Sequence, residues 1–378
     1  MLIYNFYLFT TILLSFIDFF LSKKIRQLLL IIILPSIIIF LGFRYKIGVD
    51  WLFYYTSYID SIYNTSIEFG YNALTKISNY LGINYFTFQF IITTLSILSL
   101  LVFFKLFSPT PIFCLAIFIL NSFIFNVEAI RQIISLSICT ISLIYLSKNR
   151  IYTSLILVML SSTIHISALV YLTCIIFYLS NYIRNVTFIL SLIFLIISFF
   201  GYSILEFPIY ILSELSDNPF IKKIHWYTLN KSSIITYSLF MKLTVILAYY
   251  YLFIYNRNKS QNSNIIFSCL TAMLLSISLV GIYGTIISRI EIYFLPALFC
   301  SISLILISIN NTRLKIISIA VCLFYFSISY VRVTSIDYFK EQYIPYENHL
   351  FIDNQLRIMH DIDREQSVNH FWAGKNGS

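Results

Sequence analysis

The protein has 378 residues, of which 59% are hydrophobic, 18% aromatic and only 11% charged, and its formal net charge is +9. Soluble globular proteins carry about 25% charged residues. A deficit of this size over the whole length excludes a soluble enzyme with one added anchor, and it also excludes a disordered or fibrous chain. The composition predicts an all-α polytopic integral membrane protein.

A membrane-crossing helix needs about 20 apolar residues. By this criterion the chain has about twelve predicted transmembrane segments. They lie near residues 1–21, 27–43, 86–107, 111–127, 129–147, 151–164, 166–180, 186–204, 236–256, 264–284, 290–309 and 314–331. The first lacks a basic leading region and a small-residue cleavage site, so we interpret it as a helix and not as a signal peptide. A membrane domain is expected over 1–331, followed by a C-terminal tail over 332–378.

The two short spans 151–164 and 166–180 decide the topology. A 14-residue helix is about 21 Å long, whereas the hydrocarbon core of a bilayer is about 30 Å thick. If the chain enters and returns at this pair, all cytoplasmic loops contain basic residues and no acidic one, as the positive-inside rule demands. These residues are Lys23, Lys24, Arg26, Lys105, Lys148, Arg150, Arg184, Arg257, Lys259, Arg313 and Lys315. The alternative, one long helix through both spans, moves the last five outside and is disfavoured. Both termini then face out, and the net charge indicates topology and not a nucleic-acid surface.

Three long polar segments are predicted on the outer side, over 44–85, 205–235 and 332–378. The first contains Trp51 and Tyr54, which fit an interfacial aromatic belt, although aromatic rings also stack on sugars. The second contains Glu206, Glu214, Asp217, Lys222, Lys223, His225, Trp226 and Lys231. The histidines of the tail, His349, His360 and His370, are expected to be solvated.

Ionisable residues at the outer ends of several spans are the candidate site. They are Arg44, Asp50, Arg131 beside Gln132, His165, and Arg289 with Glu291. Charged groups at membrane depth are costly to desolvate and mark functional sites by default. Each has a plainer interpretation: an arginine can snorkel to the headgroups, and His165 could be a hydrogen-bonded residue between packed helices. Their convergence on one side of the membrane favours a shared site.

The chemistry that fits these residues is the handling of a polyanionic, lipid-linked substrate. Arginine matches phosphate oxygens bidentately and keeps its charge in a low dielectric, so it could stabilise a leaving diphosphate. An acceptor hydroxyl also needs a base, for which Asp50, Glu291 and His165 are candidates that the sequence does not rank. The chain has no P-loop, GxGxxG or GxSxG motif and no acidic pair spaced for a metal, which disfavours nucleotide-driven chemistry.

The order of the short motifs resembles the EpsG family, which groups with Wzy-type O-antigen and exopolysaccharide polymerases. The resemblance covers about residues 40–347. Its motifs are Arg44-Tyr45-x-x-Gly48-x-Asp50-Trp51-x-x-Tyr54, Arg131-Gln132, His165-x-Ser167-Ala168, Arg289-x-x-x-Tyr293-Phe294 and Pro345-Tyr346. The chain has Val49 where the family often has threonine, and its tail continues past the Pro-Tyr element.

This resemblance implies a polymerase of the bacterial inner membrane that works at the periplasmic face without a cofactor. It would transfer a growing glycan from undecaprenyl diphosphate to the nonreducing end of a lipid-linked repeat. By analogy, Arg44, Arg131 and Arg289 would bind the diphosphate, with Asp50 and His165 as acid/base candidates and Glu291 in reserve. Residues expected to position the substrate are Gln132, Trp51, Tyr54 and Tyr293. Expected partners are the lipid-linked oligosaccharide, membrane lipids and a protein that regulates chain length, but no nucleic acid.

Two other functions remain open from the sequence. A flippase for the same lipid-linked unit is the main alternative, although such transporters usually show internal repeats, which are not evident here. A non-catalytic partner of a polysaccharide assembly complex is the other. The sequence does not give the sugar, the linkage, the stereochemical outcome or the oligomeric state.

Overall fold

The computed structural model describes residues 1–60, 68–215, 236–255, 260–351 and 354–376, together with Lys222, His225 and Thr228. It is 83% helical and contains no strand within these residues, which confirms the all-α fold class. Most of the predicted outer segment after Leu215, including Asp217, Lys223, Trp226 and Lys231, lies outside the described residues.

Most helices of the first half follow the predicted apolar segments, whereas two, Trp51–Ile59 and Phe69–Tyr80, lie within the predicted polar segment 44–85. They are α1 Leu2–Asp18, α2 Lys23–Gly42, α3 Trp51–Ile59, α4 Phe69–Tyr80, α5 Tyr85–Phe107, α6 Pro111–Asn121, α7 Phe123–Glu128, α8 Ile130–Leu146, α9 Ile151–Ile164 and α10 Tyr171–Leu179. Polar residues between the apolar runs start several of them: the side chain of Ser22 accepts from the backbone N–H of Ile25, and Asn84 does the same for Thr87. Such N-caps satisfy donors that have no partner within the helix.

The described part of the second half is also mostly helical. Its elements are α11 Asn181–Phe199, α12 Glu206–Leu215, α13 Tyr237–Tyr255, α14 Gln261–Val280, α15 Gly284–Glu291, α16 Leu295–Ser308, α17 Thr312–Ser335, α18 Asp337–Tyr343 and α19 Asn354–Asn376. Helix α17 crosses the expected boundary at residue 331, so the tail begins as a continuation of the last long apolar helix.

Six of these helices are long and apolar enough to span a membrane: α2, α5, α11, α13, α14 and α17. A seventh span is obtained if α15 and α16, which meet at an angle of 64°, are counted as one bent crossing. The other predicted spans coincide with apolar helices of only 10–17 residues. The chain is therefore a multi-pass membrane protein, but the expected twelve passes are not confirmed.

The short pair is broken at the predicted residue. Helix α9 ends at Ile164, His165 has an extended backbone (φ −152°, ψ 120°), and a 3₁₀ helix over Ile166–Val170 leads into α10. The His165 ring accepts from the backbone N–H of Ser167 and so caps this 3₁₀ helix. The break places a polar side chain between two apolar helices.

Helix α14 is the central helix of the bundle. Within its most apolar stretch 78% of the residues are buried inside the protein, compared with 22% for α2, α13 and α17. It packs against α10, α11, α13, α15 and α16. Because α14 has 20 residues, its two ends lie about 30 Å apart. A polar cavity lies near each end.

The C-terminal tail folds back onto the segment between α2 and α3. Arg44 and Asn348 form an isolated antiparallel bridge, and Lys46 makes ion pairs with Asp361 (3.1 Å) and Glu365 (3.2 Å) of α19. His349, which the sequence predicted to be solvated, is half-buried and stacks on the ring of Phe86, with 4.5 Å between centroids. The tail is part of the folded body.

Candidate functional site

A cavity of about 450 Å³ brings most of the predicted site residues together; we call it the candidate cavity. It is lined by Asp50, Tyr54, Ile124, Phe125, Glu128, Ala129, Arg131, Gln132, His165, Thr285, Ser288 and Arg289. Six of the ten predicted residues are among them, contributed by the start of α3, the α7–α8 junction, the His165 break and α15. Residues distant in sequence thus surround one space.

Arg131 begins α8 and faces the aromatic segment that follows α2. Its guanidinium forms an ion pair with Glu68, and its Nε donates to the hydroxyl of Tyr54 at 3.4 Å. It also lies 5.7 Å from the ring centroids of Phe53 and Tyr54. Two nitrogens of the guanidinium, Nη1 and Nε, are therefore held by a carboxylate and a hydroxyl, while the residue still lines the cavity.

Gln132 joins the two arginine-bearing helices. Its side chain is 2% exposed and its amide Nε2 donates to the backbone carbonyl of Arg289. This bond fixes α15 against the first turn of α8, so that Arg131 and Arg289 line the same cavity. The predicted positioning residue Gln132 thus acts on the backbone of the second arginine.

His165 is held from behind by hydroxyl groups. Its Nδ1 accepts from the backbone N–H of Ser167 at 3.4 Å, and the Ser167 hydroxyl lies 3.1 Å from the same nitrogen. Ser167 donates to the hydroxyl of Tyr293, which in turn donates to Ser135 at 3.0 Å. An Nδ1 that accepts from a backbone N–H places the proton of the neutral ring on Nε2.

The charge state of His165 follows from its surroundings. The pKa of His165 is lowered to about 4; burial is the main cause, Arg131 and Arg289 contribute to the lowering, and Glu68 opposes it. Desolvation disfavours the cationic ring, and two guanidinium groups repel it. The imidazole is therefore neutral at physiological pH and presents an N–H donor at Nε2.

Two carboxylates, Asp50 and Glu128, line the cavity. Asp50 is the residue immediately before α3, and Glu128 ends α7. Glu128 accepts at Oε1 from the hydroxyls of Tyr338 and Tyr343 and from the backbone N–H of Val49. Burial raises the pKa of Glu128, the negative charge of Asp50 adds to this, and the hydroxyl and amide donors oppose it.

Gly48 is required by the close approach of Glu128. It has φ +86°, and a Cβ placed there would lie 2.8 Å from the Glu128 Cγ. A side chain would be strained at this φ and would also collide with the glutamate. The glycine therefore lets the Gly48–Asp50 turn carry Asp50 to the cavity beside Glu128.

Four predicted residues do not line the cavity. Arg44 is 3% exposed, and its guanidinium donates to the backbone carbonyls of Leu41 (2.5 Å) and Val127 (2.7 Å). Glu291 is paired with Lys242 of α13 at 2.5 Å. Trp51 is buried with Lys46 over its ring at 4.9 Å, and Tyr293 lies behind His165.

Sequence reasoning missed Glu68 and Glu128. Glu68 precedes α4 in a polar segment, and no spacing ties it to Arg131, 63 residues away. Glu128 was detectable in principle, because it is a carboxylate three residues before Arg131 at the end of an apolar run. Within the described residues, no group of three histidine, cysteine or carboxylate side chains is arranged to hold a metal ion.

The comparisons with known proteins give a family. The profile of the EpsG family matches residues 27–348, which includes every residue that lines the candidate cavity. No curated protein and no solved structure matches the chain. Because the match covers most of the 378 residues, the protein belongs to the EpsG family of Wzy-type polymerase-like membrane proteins.

Proposed function

We propose that the protein is a polysaccharide polymerase of the bacterial inner membrane. It transfers a growing glycan from undecaprenyl diphosphate to the nonreducing end of a lipid-linked repeat unit at the periplasmic face. The observation that carries this proposal is the candidate cavity, in which Arg131 and Arg289 line one space together with His165 and Asp50. Two cationic forks, a neutral donor and a carboxylate match a diphosphate leaving group and a hydroxyl acceptor.

The arginines bind the diphosphate of the donor. Glu68 and Tyr54 hold two nitrogens of the Arg131 guanidinium, and Gln132 fixes the backbone of Arg289. Held side chains lose less conformational entropy on binding, so their charges are in place when negative charge develops on the leaving oxygen. The two arginines therefore lower the barrier for cleavage of the glycosyl–oxygen bond.

The carboxylate of Asp50 takes the proton of the acceptor. The acceptor hydroxyl oxygen attacks the anomeric carbon, the bond from that carbon to the diphosphate oxygen breaks, and the hydroxyl proton passes to Asp50. Undecaprenyl diphosphate leaves with the bonding electrons. Asp50 is preferred over Glu291, because Glu291 lies outside the cavity and is paired with Lys242.

His165 acts as a hydrogen-bond donor and not as the base. Its Nδ1 is occupied by the N–H of Ser167, so the neutral ring offers Nε2–H to an oxygen in the cavity. A donor at this place stabilises a phosphate or sugar oxygen without adding a full charge. Tyr293 keeps the ring oriented through Ser167.

The remaining predicted residues support this site. Trp51 and Tyr54 are buried in the first turns of α3, directly after Asp50, and Arg44 donates to the backbone carbonyls of Leu41 and Val127. As the family resemblance implies, the reaction uses no cofactor. Membrane lipids surround the enzyme, and a separate regulator sets the chain length.

The test is a polysaccharide gel of a deletion strain complemented with wild type, Arg131→Ala, Arg289→Ala, His165→Ala or Asp50→Asn. Membrane protein levels are measured in each strain. We expect wild type to restore a long-chain ladder, and each variant to leave single capped repeats at a normal protein level. The matched control is Arg313→Ala, an exposed arginine at the other end of the bundle, which should restore the ladder.

The same gel separates the polymerase from the flippase. A strain without its polymerase still exports and caps single repeats, whereas one without its flippase displays none. Loss of every repeat from the surface of the deletion strain would contradict the proposal. An unchanged ladder in the deletion strain would contradict it as well.

A further inference from the structure

A second polar cavity lies at the opposite end of α14 from the candidate cavity. It has a volume of about 380 Å³, and we call it the Arg184 cavity. It is lined by Tyr178, Asn181, Arg184, Asn185, Tyr250, Phe253, Ile254, Ser260, Gln261, Asn264 and Phe267. The first residues of α11 and α14, Asn181 and Gln261, are both part of the lining, so two helix N-termini converge here.

The charge of Arg184 has no counter-charge within the described residues. Arg184 is 2% exposed; its Nη1 donates to the Asn264 side chain, and its buried Nε has no hydrogen-bond partner. No ion pair with a carboxylate is present in the described part of the chain. Residues 256–259, which lie outside that part, are Asn-Arg-Asn-Lys and contain no acid.

Several other basic residues predicted on the same side of the membrane as Arg184 are either exposed or paired with a carboxylate. Lys23, Lys24 and Arg313 are exposed, so water solvates their charges. Arg26 is half-buried but pairs with the buried Asp18 at 2.5 Å. A buried cation without such a partner is expensive, because desolvation of its charge is not offset. Arg184 therefore has neither the solvation nor the ion pair that offsets the charge of these other basic residues.

The groups around Arg184 suit an anion with several oxygens. The guanidinium lies 4.7 Å from the ring centroid of Phe267 and 5.3 Å from that of Phe253, which orients its plane. Asn181, Asn185 and Gln261 place neutral amides around the same space. The partial positive charge of two helix N-termini adds to that of the arginine.

We propose that the Arg184 cavity binds a phosphate group, with Arg184 as its principal ligand and the asparagine amides as secondary donors. A phosphate that accepts from the guanidinium would neutralise the buried charge. The shared chemistry fits the headgroup of an anionic phospholipid, consistent with a cavity at the end of membrane helices, and also fits free inorganic phosphate. This site is separate from the candidate cavity, and its occupancy does not depend on polymerase activity.

The test uses the full-length protein purified in detergent and stripped of lipid. Native mass spectrometry measures the affinity for phosphatidylglycerol and phosphatidylcholine, and thermal unfolding follows the Tm with each lipid and with inorganic phosphate. We expect phosphatidylglycerol or phosphate to bind and raise the Tm of the wild type. Arg184→Gln should weaken that binding at least about tenfold, because it removes a charge-assisted hydrogen bond.

Two further variants keep the test decisive. Asn185→Leu removes a lining amide but leaves the arginine in place, so it should also weaken binding even if Arg184→Gln fails to fold. Arg313→Gln removes an exposed basic residue and should bind like the wild type. A response to phosphatidylglycerol alone identifies the lipid, and a response to phosphate identifies the free ion. No response to either, or an equal response in wild type, Arg184→Gln and Asn185→Leu, would overturn the proposal.

Discussion

Arg131 and Arg44 lie in two regions that the sequence does not distinguish. Both are arginines at the end of an apolar segment, on the side predicted to face out, within motifs of one family. The guanidinium of Arg131 is held by Glu68 and Tyr54, and the residue lines the candidate cavity. Arg44 is buried, and its guanidinium donates to the backbone carbonyls of Leu41 and Val127.

This difference indicates that the hydrogen-bond partners of an arginine determine whether it stabilises the fold or binds an anion. A buried guanidinium that donates to main-chain carbonyls stabilises the connection between two segments, because those carbonyls would otherwise be buried without this donor. A guanidinium held by a side-chain carboxylate at the edge of a cavity can still meet an incoming anion. We therefore expect substitutions at Arg131 to affect activity, and substitutions at Arg44 to affect folding.

The largest effect is expected for Arg131→Ala. Removal of a preorganised cationic group should lower polymer formation by about 10²-fold or more, by analogy with the loss of one oxyanion donor. Arg131→Lys should fail to restore it, because an ammonium cannot reproduce the bidentate fork. Long-chain polysaccharide per unit of membrane protein is the measurement. A normal ladder in Arg131→Lys would remove Arg131 from the diphosphate site.

Arg44→Ala should produce the opposite pattern. It leaves two buried carbonyls without their donor, at a cost of about 1–3 kcal/mol each. We expect a lower Tm and less folded protein, with polymer per folded molecule nearer to wild type than in Arg131→Ala. The Tm in detergent and the polymer yield are measured on the same preparations. An unchanged Tm with complete loss of polymer would place Arg44 in the chemistry after all.

The variant Tyr293→Phe tests whether Tyr293 orients the ring of His165 through Ser167. The change removes the hydroxyl that receives the Ser167 hydrogen bond and donates to Ser135, but preserves the ring. We expect polymer formation to fall by about tenfold, less than for His165→Ala, because the Ser167 backbone N–H still holds the imidazole. Equal losses in the two variants would mean that Tyr293 does more than orient His165.

The smallest effect is expected where the tail meets Lys46. The double variant Asp361→Asn, Glu365→Gln removes two ion pairs whose carboxylates are 28% and 46% exposed. Ion pairs with partly exposed carboxylates contribute about 0–1 kcal/mol each and are screened by salt. Lys46 itself is buried, but it keeps its contact with the Trp51 ring at 4.9 Å when the carboxylates are removed. The Tm should fall by only a few degrees, and the ladder should stay normal. A lost ladder would show that docking of α19 is needed for activity.

Much of the fold was predictable because the apolar runs and the polar residues between them set the helices directly. The break at His165 followed from two signals: neither short run can cross a bilayer, and one long helix through both would violate the positive-inside rule. The number of passes did not follow, because α6 and α8 are apolar but too short to be distinguished from buried helices by composition. The fold-back of the tail depends on pairings such as Lys46 with Asp361, for which no local pattern exists.

The candidate site was predictable where charge meets an apolar run. That rule found Asp50, Arg131, His165 and Arg289, all of which line the candidate cavity. It could not separate Arg44 from Arg131, because the partners of both are distant in sequence. Three-dimensional pairing is the information that the sequence pattern lacks.

The most direct test of the central claim is polymer formation by the purified protein. Lipid-linked single repeats are extracted from the deletion strain and incubated in detergent with wild type, Arg131→Ala or Arg44→Ala. We predict a ladder of longer glycans and release of undecaprenyl diphosphate with wild type, none with Arg131→Ala, and a ladder in proportion to folded protein with Arg44→Ala. The same ladder with Arg131→Ala as with wild type, or none with folded wild type, would contradict the assignment of the candidate cavity as the site of polymerisation.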